Sequence, residues 1–222
     1  MTRTTGQRTA REGLLGRKIT LPLADLHNKG DDFRKFTLRV DDVQGVQCLT
    51  SFSGMSTTSD KLRALVRKRQ TLINVFHDIK TTDGYVLRVF VVGSTRRQRG
   101  QRRLTSYAQR SHIVRLRRRI VKIIQDELST CDIPTLTLKL SSEVIGRQVE
   151  KASLSIYPLQ NVLTYKVKVI RAPRGDLGRL LELHGGSDAI RDFETAAALQ
   201  ATAATGAAVE RPEEEVEEIV AE

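Results

Sequence analysis

Three features of the 222-residue sequence predict an α+β fold, a curved, mostly antiparallel sheet forming a partial barrel with helices packed against it. Several segments alternate apolar and polar residues with a period of two, as half-buried strands do. The β-branched run Tyr85-Val-Leu-Arg-Val-Phe-Val-Val92 follows the tight-turn sequence Thr81-Thr-Asp-Gly84. A long segment, 106–129, instead places Ile113, Leu116, Ile120, Ile123, Ile124 and Leu128 at helical spacing.

Residues 17–26 alternate well enough for a strand, and Pro22 assigns it to an edge because proline cannot donate to a ladder. Phe36, Leu38 and Val40 alternate with Lys35, Thr37 and Arg39 in a second strand, and Asp41–Gly45 has the composition of a turn. Val46, Cys48, Thr50 and Phe52 resume the period of two, which predicts a hairpin. Thr58 is placed to cap a helix over 59–69 that buries Leu62, Leu65 and Val66. A strand at 71–81 then pairs with the 85–92 run across Asp83-Gly84, Gly84 supplying positive φ, and the second strand is apolar enough for burial on both faces.

Residues 96–103 carry five arginines, one glycine and no apolar side chain, so a loop is expected, disordered until it meets a polyanion. Ser106 with Gln109 has the spacing of a capping box and would open the helix at 106–129, which Cys131-Asp-Ile-Pro134 breaks. Residues 135–141 favour no one element. Ser142 would open a helix with Ile145, Val149 and Ala152 inward, ended by Tyr157-Pro158. Residues 162–170 form a strand with Tyr165, Val167 and Val169 on one face and Lys166 and Lys168 on the other. Leu177, Leu180 and Leu181 mark a short helix stopped at Gly185-Gly186. The expected organisation is a flexible segment at 1–15, one domain at 16–186, and an Ala-rich, acidic, largely disordered tail at 187–222.

Enzymatic chemistry finds no support. The four histidines sit in four unrelated segments, and neither a phosphate-cradling nor a dinucleotide glycine motif is present. Ser51-Phe-Ser-Gly-Met55 lacks the flanking glycine of a nucleophile elbow. Asp31-Asp32 and Asp41-Asp42 fit surface turns, and Cys48 and Cys131 fit small core residues in a reducing compartment. No cofactor or metal ligand set is expected. No apolar run approaches the ~18 residues of a membrane span, and Met1–Arg17 lacks the apolar core of a secretory signal.

Charge carries the functional signal. The net charge is +11, yet residues 61–122 alone hold 18 Lys/Arg against Asp78 and Asp83, while 189–222 hold 9 acidic and 2 basic residues. No acidic residue occurs between Asp83 and Asp126. Arg115, Arg118, Arg119 and Lys122 recur at i, i+3, i+4 and i+7 opposite the apolar stripe, so they share one helix face. A merely solvated face intersperses glutamate to form i,i+4 pairs; this one does not. Such unpaired cationic density marks a polyanion partner. The candidate RNA-binding residues are Arg67, Lys68 and Arg69 at the end of the earlier helix, Arg96, Arg97, Arg99, Arg102 and Arg103 in the loop, and Tyr107, Arg110, Arg115, Arg118, Arg119 and Lys122 beyond it. With ten aromatics, no Trp, and only Tyr107 beside the basic loop, no base-stacking platform is evident, and contact through the backbone and shape of RNA is expected.

Several blocks together resemble one family. They are Phe33-Arg-Lys-Phe36, Asp41-Asp-Val-Gln-Gly45, Cys48-Leu-Thr-x-Phe-x-Gly-Met55, Lys80-Thr-Thr-Asp-Gly-Tyr85 and Thr105-Ser-Tyr-Ala-Gln109. Further along come Ile145-Gly-Arg147 with Val149-Glu-Lys-Ala152, Ser155-Ile-Tyr-Pro-Leu159, Lys166-Val-Lys168 and Leu183-His-Gly185. In this order, over about 16–185, they are similar to the archaeal and eukaryotic small-subunit ribosomal protein family called S-three-A, or eukaryotic S-one. The resemblance implies a non-enzymatic constituent of the small ribosomal subunit, on the platform near the mRNA exit. Its implied partners are small-subunit ribosomal RNA, neighbouring ribosomal proteins, initiation factors and mRNA, with no membrane and no cofactor. A cytoplasmic location follows, with nuclear or nucleolar assembly if the source is eukaryotic. A long basic N-terminal extension usual in the family is missing from this sequence. The runner-up reading is a free-standing RNA-binding translation factor, which would wash off ribosomes in high salt.

Overall fold

The structure, a computed structural model, describes residues 9–26, 32–44 and 47–173, with Gly178, Leu180 and His184 beyond them. The chain divides into two compact units, Met1–Gly175 and Asp176–Glu222. In the second, the three described residues are helical, and the rest of the expected helix at 177–184 and the tail lie outside the described residues.

The first unit is built on six antiparallel strands: β1 (Lys18–Pro22), β2 (Arg34–Gln44), β3 (Gln47–Thr57), β4 (Leu72–Lys80), β5 (Val86–Thr95) and β6 (Leu159–Arg171). Their order in the open sheet is β1-β2-β3-β6-β5-β4. The last strand therefore inserts between a three-stranded meander and the β4–β5 hairpin. Among the described residues of this unit, six helices accompany them: α1 (Ala10–Leu14), α2 (Leu23–Leu26), α3 (Ser59–Leu65), α4 (Arg110–Leu128), α5 (Ile133–Ser141) and α6 (Val144–Ser153). Pro22 ends β1 at the sheet edge, where its missing donor breaks no internal ladder.

One sheet face and the helices α4, α5 and α6 enclose the main core. Leu116, Ile120, Ile124 and Leu128 of α4 are buried at 3% exposure or less and meet Ile73, Val75, Leu87, Val89 and Val167. Burying those four α4 side chains is worth roughly 6–12 kcal/mol before the entropy of ordering them. An ion pair between buried Arg34 and half-buried Glu143, 2.6 Å long, ties β2 to the start of α6. Glu127 joins all three core helices, accepting from Lys139 Nζ of α5 at 2.9 Å and Gln148 Nε2 of α6 at 2.6 Å. These two donors, the lysine first, hold its carboxyl below the ordinary carboxylate range.

Several elements depart from the sequence expectations. Asp41–Gln44 continues β2 instead of turning, because a register shift between Val40 and Asp42 absorbs one residue. Helix α3 stops at Leu65, so Arg67, Lys68 and Arg69 follow it in non-helical chain, Arg69 at φ 66°. Val66, expected inside, is 67% exposed. β5 is closed on both faces only over Val91–Thr95; before that it alternates. Ser106 caps nothing, because α4 opens at Arg110 after Gln109. Residues 133–141 form α5, with Pro134 in its first turn where a missing N–H costs little. Ser142 closes that helix, and Glu143, at φ 53°, opens α6.

The alternation expected in the last strand also breaks. A register shift between Phe90 and Val91 on β5 leaves Tyr165 unpaired in the β5–β6 ladder, between Lys166 and Thr164. Val167 stays in the main core, but Tyr165 turns to the opposite sheet face, where it packs with Leu65, Val92 and Leu163.

Candidate nucleic-acid interface

The basic segments meet through a small cluster of hydroxyls. Thr95, fully buried at the end of β5, donates through Oγ1 to the Ser106 carbonyl at 2.6 Å and accepts from the Thr71 amide at 2.9 Å. Ser106, 4% exposed, places its Oγ 3.2 Å from both the Thr95 and the Arg69 carbonyls, and its amide donates to Arg69 O at 2.8 Å. The Ala108 amide donates to Thr71 Oγ1 at 3.2 Å. Chain that leaves α3 is thereby fastened to chain that enters α4. The β-branched Thr95 suits the strand end, and each buried hydroxyl has a partner, as burial requires.

Over this clamp lies a groove of about 620 Å³ lined by Lys68, Arg69, Arg96, Arg97 and by Gln70, Gln98, Gln101 and Gln160, with no carboxylate. The Arg96 amide donates to Pro158 O at 2.8 Å, and Gln160 Nε2 donates to Gln70 Oε1 at 3.1 Å. The loop at 96–103 has an internal scaffold that its arginine content did not foreshadow. Gln101 donates from Nε2 to Thr105 O at 2.6 Å and to Arg103 O at 3.3 Å, and its Oε1 accepts from the Gln98 amide. Arg97 donates to the Gln101 carbonyl at 2.9 Å, and Gly100 takes φ 78° in the turn between.

Every residue picked out from the sequence is exposed: Arg67, Lys68, Arg69, Arg96, Arg97, Arg99, Arg102, Arg103, Tyr107, Arg110, Arg115, Arg118, Arg119 and Lys122. Five ion pairs are formed among other described residues, and none of these cations takes part in one. The structure gathers only some of them. Lys68, Arg69, Arg96 and Arg97 surround the groove, whereas Arg99, Arg102 and Arg103 stand outside its lining. Arg67 turns away, donating to Ala64 O at 3.2 Å, and lines a separate cavity beside Phe33, Lys61 and Arg147. Arg115, Arg118, Arg119 and Lys122 run along the side of α4 away from its buried row. Arg117, also exposed, adds to this helix surface although it falls outside the i, i+3, i+4, i+7 pattern.

Sequence reasoning missed Thr71, Thr95 and Ser106 as organisers, and it missed the glutamines. The available signal was Thr105-Ser-Tyr-Ala-Gln109, which a capping box explained too readily. Chemically, the groove offers planar guanidinium forks and neutral amide donors around a space free of negative charge, which suits phosphate oxygens. Among the described residues no group of three or more His, Cys, Asp or Glu side chains is placed to hold a metal, and no helix is long and apolar enough to cross a membrane.

A protein-family model, the Ribosomal S3Ae family, matches the chain over residues 2–173. The match takes in every strand of the sheet, the hydroxyl clamp and the whole basic surface. It stops before the Leu183-His-Gly185 block.

Proposed function

The chain belongs to the Ribosomal S3Ae family, whose members are generally structural, non-enzymatic proteins of the small ribosomal subunit that bind ribosomal RNA and other ribosomal proteins in cytoplasmic ribosomes; from this premise we propose that it holds small-subunit RNA through the groove around Lys68, Arg69, Arg96 and Arg97 and along the α4 stripe. The observation that carries the reading is the carboxylate-free groove itself, whose cations take part in no ion pair among the described residues. Unneutralised charge at this density costs folding energy, and RNA phosphates offset it while releasing counterions. Arg99, Arg102, Arg103 and Arg110 extend the same contact, and Tyr107 stacks beside it. Arg67 is a peripheral contributor.

In the particle this surface faces RNA on the platform near the mRNA exit, within reach of initiation factors and mRNA. The acidic charge of 187–222 disfavours contact with RNA, so the RNA contacts are assigned to the domain at 16–186. In a eukaryotic cell assembly begins in the nucleolus.

The test is charge reversal of Arg115, Arg118, Arg119 and Lys122 to Glu in the full-length chain. The isolated variant should keep its circular dichroism and melting profile but be absent from salt-washed small subunits. Its log–log salt slope on a subunit RNA fragment should fall by up to about four units. Normal incorporation would reduce the stripe to a solvated face. A wild-type protein that leaves subunits in the high-salt wash would instead be a translation factor.

A further inference from the structure

The sheet face opposite the main core carries a row of aromatic rings. Phe76 on β4 lies 6.0 Å, centroid to centroid, from Phe90 on β5, and Phe90 lies 5.8 Å from Tyr165 on β6. Phe76 and Phe90 are direct cross-strand partners, and the β5–β6 register shift brings Tyr165 to the same face. Helix α3 covers only the end of this face near Leu163 and Val92. Phe76 is 63% exposed, an unusual state for a phenylalanine in a sheet.

Basic residues share the face in register with the rings. Lys166 is the partner of Phe90, and Lys168 that of Arg88. Arg88 stands 5.7 Å over the Phe76 ring and is fixed there by a bidentate contact with Asp78 at 2.6 and 2.7 Å. Asn74 Nδ2 donates to the Tyr165 hydroxyl at 3.3 Å, which holds that ring in place. Asp78 is thus occupied by Arg88, and the lysines carry the field of the surface.

We infer that this face is a second RNA-contacting surface, on which two or three unpaired bases of a single-stranded segment stack on Phe76, Phe90 and Tyr165 while Lys166 and Lys168 meet the phosphates. Three rings on adjacent strands of an exposed sheet, with cations beside them, have the chemistry of a base-stacking platform. A protein neighbour fits less well, because lysines are depleted from the centres of protein interfaces, whereas here they are interleaved with the rings. The inference extends the reading of the chain as an RNA binder, but it rests on none of the groove or α4 residues.

The experiment compares the full-length wild type with Phe76→Leu, which keeps an apolar side chain at an exposed site, and with Phe76→Tyr, which keeps the ring. The probes are a fluorescent oligouridine twelve-mer and a perfectly paired RNA hairpin, read by anisotropy over a salt series. Oligouridine affinity should fall about tenfold in Phe76→Leu and recover in Phe76→Tyr, with the salt slope unchanged and hairpin affinity within twofold throughout. Photocrosslinking of thiouridine-substituted oligomer should map to Phe76, Phe90 or Tyr165. Equal oligouridine binding by wild type and Phe76→Leu, or crosslinks confined to 96–122, would overturn the platform and leave the groove reading standing. Failure of the wild type to bind either RNA would overturn both. Loss of a neighbouring protein from subunits carrying Phe76→Leu, with oligouridine binding intact, would make the face a protein contact.

Discussion

Gly146 sits inside α6, where alanine ought to be the better residue. Replacing glycine by alanine in a helix interior gains about 1 kcal/mol from propensity alone. At this position, however, an added Cβ would lie 2.3 Å from the Val162 carbonyl oxygen of β6, about 1.1 Å short of the 3.4 Å at which ordinary contact begins. The obstructing atom belongs to the central strand, and α6 is held on both sides of the glycine by Ile145 and Val149, each 1% exposed. The helix must therefore lift. That overpacking costs about 2–3 kcal/mol, and lifting also stretches the bond from the Val162 amide to Glu150 Oε1, 3.1 Å long and worth about 1 kcal/mol. The net expectation for Gly146→Ala is a loss of about 2 kcal/mol, or about 4–8 °C in Tm for a chain of this size. Thermal melts followed by circular dichroism, with urea titration for the free energy, measure it. An unchanged or raised Tm would mean that α6 does not approach β6 as closely as described, and the packing argument would fail.

Two further outcomes follow from named side chains. The Glu127 carboxyl is held below its ordinary value of 4.5, so its contribution is fully present above about pH 4.5 and is lost as pH falls through the lowered folded value. Urea midpoints should show wild type more stable than Glu127→Gln at pH 6, the gap closing towards pH 3; a gap independent of pH would show that the ionised carboxylate is not what matters. Gln101→Ala removes the side chain that braces residues 97–105, so trypsin should cut among Arg96–Arg103 several-fold faster than in wild type while the melting point stays within about 1 °C, as surface changes usually do. Equal cleavage rates would mean that the loop is not held by this glutamine.

The strands and the long helix were legible because each is written locally. A period of two, a run of β-branched residues before and after Asp83-Gly84, and an Ile/Leu stripe on α4 need no information from elsewhere in the chain. The boundaries were less so. Val66 and Leu72 continue the helical spacing of α3, but the main core and the β4–β5 hairpin draw the chain from Leu72 into a strand, and the helix ends at Leu65. Residues 133–141 look indifferent because Thr and Leu alternate there; packing of Leu136 and Leu140 into the core decides for helix.

Functional residues divide along the same line. Cationic density is a property of composition, so the basic surface could be read before any fold was known. The groove could not, because it depends on Thr71, Thr95 and Ser106 meeting from three separate segments, and hydroxyls carry no signal until their partners are placed. The aromatic row was hidden twice. Its rings lie at 76, 90 and 165 on three separate strands, so no single strand contains two of them. Strict alternation also assigns Tyr165 to the face of Val167, and a single unpaired residue in the β5–β6 ladder reverses that assignment. A sequence pattern that counts aromatics therefore argues against a stacking surface, while the register of three strands assembles one from a chain that holds few rings.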